Sequence, residues 1–204
     1  MDRSRFERIG KINTPVSQVV RRAWKKKLKF EFKGRIEQIS NEKAVLIGSA
    51  SSVSFIFKGN ECTVNLKNAD PNSDHNWVSV ELDGKYSERI KVEKGGAWEY
   101  PVKLDQDKNQ HSIAIYKATE ATNGGIIFDG SNLNVVEFPS VQKMKIEFIG
   151  NSITCGYGAD FTEMPCDSGL WFDQHNAYLA YGPRVARMLD VDFVLSSVSG
   201  IGIY

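Results

Sequence analysis

Between Gly34 and Pro139 the chain is a succession of short apolar runs, several with a two-residue alternation, separated by turn residues. That period puts every second side chain on one face of a strand. Strands are predicted at Ala44–Ile47, Ser52–Phe57, Glu61–Leu66, Trp77–Leu82, Tyr86–Val92, Tyr100–Leu104, His111–Lys117, Ile126–Phe128 and Leu133–Phe138. Asp83-Gly84 between two such runs is a strong two-residue hairpin signal. Short strands at this spacing predict a β-sandwich or jelly roll. Residues 1–33 read as a lead-in, with a short amphipathic helix over Val16–Trp24.

The pattern changes after Pro139-Ser140-Val141-Gln142, which reads as a linker. Lys145–Ile149 predicts a buried strand, residues 176–189 a helix, and residues 192–198 a second strand. Gly182-Pro183 interrupts the helical stretch, so it either kinks there or starts near Pro183. Two strands joined by a helix imply a parallel pair. The expected organisation is a lead-in at 1–33, a jelly-roll-like sandwich at 34–139 and an α/β unit at 143–204.

Candidate chemistry concentrates where the first α/β strand stops, at Gly150-Asn151-Ser152, with Gly156 and Gly158 close behind. A serine at the carboxyl end of such a strand stands where open α/β sheets bind ligands. An ordinary Gly/Asn/Ser turn is the structural alternative.

The surrounding residues carry a resemblance. Ile146–Gly158 resembles the first block of the SGNH, or GDSL, serine hydrolases, in the form found in carbohydrate esterase family 2. Asn176–Gly182 and Ser197–Gly202 agree, the latter resembling the family's second block; Lys117–Ala121 and Phe128–Gly130 extend the likeness upstream. Asn151 stands where the wider superfamily usually has Asp. The resemblance implies a β-sandwich followed by an SGNH hydrolase α/β domain, with Ser152 as nucleophile. It also implies an oxyanion hole formed by the backbone N–H groups of Ser152 and Gly200. The implied substrate is an O-acetylated sugar or polysaccharide, and no cofactor or metal is implied. A serine hydroxyl needs a base. The family's base is a His in its last block, with an Asn oxyanion donor in its third. Neither block is found in this sequence, so the α/β domain reads as C-terminally truncated and a further segment of the same protein is the expected partner. The alternatives are a non-catalytic carbohydrate-binding module, with Trp77, Trp98 and Tyr100 as a face, or an inactive remnant.

Among residues near the motif, Trp171, Tyr157 and His175 are the substrate-contact candidates, with core packing as the competing role for the aromatics. His75 and His111 read as surface residues. Cys155 and Cys166 are close enough in sequence for a local bridge, and Cys62 reads as a buried thiol. No Cys/His set has metal-ligand spacing.

Hydrophobic content of 41% with 25% charged residues is that of a globular chain. A net charge of +1 gives no electrostatic case for nucleic acid or an anionic membrane, and the basic run Arg21–Lys27 reads as a solvated lead-in. No apolar run is long enough to span a bilayer. The resemblance implies an extracellular or periplasmic protein, although no signal peptide is visible at the N-terminus.

Overall fold

The computed structural model describes residues 27–96, 98–104 and 107–202. Its strands, in chain order, are β1 (Lys27–Leu28), β2 (Phe30–Lys33), β3 (Ile36–Gln38), β4 (Lys43–Leu46), β5 (Ser52–Lys58), β6 (Cys62–Asn68), β7 (His75–Leu82) and β8 (Lys85–Glu93). Then come β9 (Glu99–Val102), β10 (Gln110–Lys117), β11 (Ile126–Asp129), β12 (Val135–Val136) and β13 (Phe138–Pro139). One sheet has the order β12-β5-β10-β7-β8, with β2 also paired to β5; the other has the order β3-β4-β11-β6-β9. Their pairings are antiparallel. Alternate residues of the two inner faces, among them Val53, Phe55, Val64, Leu66, Val78, Val80, Ile113, Ile115 and Phe128, form one apolar core. Phe30, Phe55 and Phe128 meet there with ring centroids 5.6–6.0 Å apart. Each large side chain so buried contributes roughly 1.5–3 kcal/mol. The hairpin at Asp83-Gly84 forms as its residues demand: both have positive φ, 50° and 78°, and Leu82 pairs with Lys85.

Beyond the sandwich, β14 (Lys145–Gly150) and β15 (Asp192–Ser197) pair in parallel. Between them lie the short helix α1 (Ser152–Cys155) and helix α2 (Tyr181–Leu189). A methyl group at Gly182 would lie 2.8 Å from the Phe148 ring, so glycine lets α2 close on β14. Phe148, Phe193 and Leu195 pack with Ala50, Ala177 and Tyr116 of the adjoining segments. Ile149, Ile153, Met188 and Leu189 stay exposed, Met188 at 85%. Among the described residues the parallel sheet has two strands.

Several expectations change. The lead-in carries strands: β1 and β2 lie before residue 34, and Phe30 is in the core. Phe30-Glu31-Phe32 supplies the alternation, so the sandwich begins earlier than its sequence boundary. The helix expected over 176–189 divides into a 3₁₀ turn at Ala177–Leu179 and α2, which places Pro183 in its first turn. His75 and His111 are buried, because Asp173 and Asp83 respectively give their rings a partner. Cys155 is buried, Cys166 is exposed, and both are free thiols. Trp77 belongs to one sheet and Tyr100 to the other, so Trp77, Trp98 and Tyr100 do not form one face. The helix expected at Val16–Trp24 lies outside the described residues.

Candidate functional site

Ser152 is the first residue of α1, directly past the end of β14. The turn follows from its sequence. Asn151 caps the helix, its side chain accepting the Ile153 N–H at 3.2 Å, and Gly156 ends it in the left-handed region. A Cβ at Gly150 would meet the Thr154 hydroxyl at 2.1 Å, and one at Gly156 would meet the Asn176 carbonyl at 2.5 Å. These two glycines are therefore required for close approach. The Ser152 side is half-exposed.

The parallel register pairs Gly150 with Ser197, and the Val198 N–H donates to the Gly150 carbonyl at 3.2 Å. The two strand ends are adjacent, so the turns holding Ser152 and Gly200 start side by side. Gly200 is exposed with φ of 78°. The Cys155 thiol donates to the Ser197 hydroxyl at 3.1 Å, tying α1 to the end of β15.

The three substrate-contact candidates come together. Tyr157 forms an antiparallel bridge with His175, and the rings of Tyr157 and Trp171 stand edge-on to the His175 ring at 5.3 and 5.5 Å. Tyr157 and Trp171 are 47% and 51% exposed, whereas His175 is completely buried beneath them. In this geometry His175 supports the site from below rather than reaching solvent. Burial pushes its pKa down, with nearby Glu120 opposing, so the ring is neutral near pH 7. Its Nε2 lies 3.1 Å from the Ser199 hydroxyl and 3.8 Å from a Glu120 carboxylate oxygen. Both approach one ring nitrogen, which is not the arrangement of a catalytic triad, where acid and nucleophile use opposite nitrogens. Among the described residues, no histidine is hydrogen-bonded to the Ser152 hydroxyl.

The loop carrying Trp171 is held by the sandwich through alternate residues of β7. His75 Nε2 and Trp77 Nε1 meet Asp173 at 2.5 and 2.6 Å, the Ser79 hydroxyl donates to Asn176 at 2.8 Å, and Glu81 accepts from the Tyr178 hydroxyl at 2.8 Å. On β8, Arg89 donates to the carbonyls of Asp173 and His175 while its guanidinium lies over Trp77. Burial favours the neutral Asp173 acid, but His75, Trp77 and the Leu170 N–H overcome this and hold its pKa below the usual carboxylate range. The β7 alternation was visible in the sequence, but its partners 96 to 98 positions away left no local signal.

Glu120 and Lys117 also escaped the sequence reading as site residues. Both are buried. Lys117 donates to the carbonyls of Thr119 and Glu120 and to the Thr119 hydroxyl, and burial pushes its pKa down to about 7 despite the charge of Glu120. Glu120 accepts the Ser199 N–H at 2.8 Å and the Thr122 hydroxyl; these donors outweigh burial and keep its pKa low.

The family profile "Carbohydrate esterase 2 N-terminal" matches residues 32–139. The chain is 31% identical over 160 residues to the cellulase/esterase CelE of Acetivibrio thermocellus, an alignment covering 76% of this chain and 19% of that protein. It is 29% identical over 151 residues to an acetylxylan esterase/glucomannan deacetylase of Cellvibrio japonicus, covering 72% of this chain and 39% of that one. The structure is similar to that of a family two carbohydrate esterase from Clostridium thermocellum in complex with cellohexaose. The TM-score is 0.68 at 27% identity, covering 85% of this chain and 52% of that chain. The chain thus spans less than half of these curated relatives and about half of the solved one. It belongs to the carbohydrate esterase 2 N-terminal family.

Proposed function

We propose that this chain carries the nucleophile-bearing part of a serine esterase that removes O-acetyl groups from sugars or polysaccharides. The observation that carries the reading is the pairing of Gly150 with Ser197 at the ends of β14 and β15, from which the chain runs on into the Ser152 turn on one side and the Gly200 turn on the other. Support comes from the SGNH-like residues on both turns and from relatives named as acetylxylan esterases. In this reading the sandwich and the parallel unit form the first part of an SGNH hydrolase. Ser152 attacks the acetyl carbon as a base takes its hydroxyl proton. The tetrahedral oxyanion is held by the N–H groups of Ser152 and Gly200, each such donor typically stabilising the transition state by about 3–4 kcal/mol. The proton passes to the departing sugar oxygen, and water then releases acetate from the acyl-serine. Tyr157 and Trp171 flank the acyl site and offer ring faces and edges to the sugar. The family resemblance assigns the base to a histidine on a further segment. A polysaccharide substrate makes export part of the proposal.

The exposed aromatic pair Tyr157 and Trp171 favours sugar binding without catalysis as the second reading. Acetate release from acetylated xylan separates the two. The assay compares this chain, this chain fused to the remaining catalytic segment of a family member, and the fusion carrying Ser152→Ala. The esterase reading expects little release by the chain alone, release by the fusion, and a loss of about three orders of magnitude or more in Ser152→Ala. Equal release with and without Ser152 would overturn it. Retained binding of xylan by an inactive fusion would favour the second reading.

A further inference from the structure

We propose that Glu120, a side chain contributed from the sandwich, is a positioning residue for the Ser199-Gly200 turn. Its carboxylate would fix the peptide that orients the Gly200 N–H. The inference rests on the esterase reading for its functional meaning, but its geometry stands separately. Glu120 follows β10, and one of its oxygens accepts the Ser199 N–H at 2.8 Å. Ser199 is gripped a second time, its hydroxyl lying 3.1 Å from His175 Nε2. Two contacts on one residue restrict the orientation of the peptide that follows, and Gly200 then turns with φ of 78°.

The other end of the clamp is equally fixed. The second Glu120 oxygen accepts the Thr122 hydroxyl within the 3₁₀ turn Ala121–Asn123. Asn123 closes that turn onto β7, donating to the His75 carbonyl at 3.0 Å and accepting at its own carbonyl from Asn76 at 2.7 Å. A continuous run of hydrogen bonds therefore joins the sandwich to the Gly200 turn. Glu120 is 1% exposed. A buried carboxylate is costly without donors, and a charged acceptor makes a stronger hydrogen bond than a neutral one. A residue serving only to fill the interface would not need the charge.

Amide hydrogen exchange on the full 204-residue chain tests the clamp, comparing the native sequence with Glu120→Gln and Glu120→Ala. In Glu120→Ala the Ser199 amide should exchange at least about tenfold faster, the loss expected for one charge-assisted bond. Gly200 should speed up with it, while amides of β5 and β10 keep their native rates. Glu120→Gln retains an acceptor oxygen and should recover part of the protection. An unchanged Ser199 rate in Glu120→Ala overturns the proposal. So does an equal acceleration in β5 and β10, which would make Glu120 a general structural residue. Exchange reads the turn whether or not Ser152 reacts, so a failed clamp leaves the esterase reading standing. Loss of Ser152 dependence in acetate release would leave the clamp standing.

Discussion

The sandwich interior and the layer docked on its outer face are built by different physics. Inside, alternate residues of two sheets meet in an apolar core whose strands pair on both sides or close against neighbours. Outside, the 145–200 layer has few fully buried apolar side chains of its own, and it leaves Ile149 of β14 and Met188 and Leu189 of α2 exposed. Beside the small apolar cluster at Ala50 and Tyr116, it is attached through polar groups of β7, β8 and the segment after β10. Apolar packing stabilises in proportion to area and tolerates modest change of shape. Buried polar attachment specifies position, and each broken partner leaves an unsatisfied group behind. The Ser199-Gly200 turn and the Trp171 loop are therefore both hydrogen-bonded to groups that the sandwich contributes.

The largest expected effect breaks the interior. Phe128→Ala removes a fully buried ring and should cost about 3–5 kcal/mol, read as a lower urea midpoint for the whole chain. Phe148→Ala, in the half-exposed parallel unit, should cost less than half as much. Equal costs would erase the distinction between the regions.

Lys117, at the seam, gives a pH signature. Its pKa is about 7 in the fold against 10.5 as the ordinary value, so the unfolded chain binds more protons between those limits and stability rises with pH. From pH 7 to 9 the gain should be about 2–3 kcal/mol. Lys117→Met should flatten it. The reading stops near pH 9 because the Cys62 thiol, pushed up to about 12 by burial, opposes folding as the unfolded thiol ionises. Stability that falls from pH 7 to 9 in the native sequence would contradict the Lys117 assignment.

Asp173→Ala sharpens the polar side of the comparison. It leaves His75, Trp77 and the Leu170 N–H without their acceptor, and should cost about 2 kcal/mol while raising protease cutting around Trp171. Last, Gly84→Ala places a methyl group at a φ of 78° and should cost about 1 kcal/mol. It is a local effect on the β7–β8 hairpin, measured by thermal unfolding.

Much of this was legible in the sequence, for specific reasons. The runs at Ser52–Lys58, Cys62–Asn68 and His75–Leu82 announce themselves by alternation, and Asp83-Gly84 fixes the hairpin between β7 and β8. The Ser152 turn was readable because its glycines and Asn151 cap are local requirements. Phe30-Glu31-Phe32 was missed because three residues of alternation inside a charged stretch carry little periodic signal. The seam was missed for another reason. Alternating polar residues such as Trp77 and Ser79 look the same whether they face water or a docked layer, and Asp173 and Asn176 carry no mark of partners nearly a hundred positions away.

Hydrogen exchange read across the whole chain tests the central contrast most directly. The account predicts that amides of β5, β7 and β10 exchange through global unfolding. Those pairing β14 with β15 should open locally and exchange on the order of a hundredfold faster. Protection of β14 and β15 equal to that of the sandwich strands would contradict it, because the parallel unit would then be part of one cooperative core rather than a layer held in place from outside.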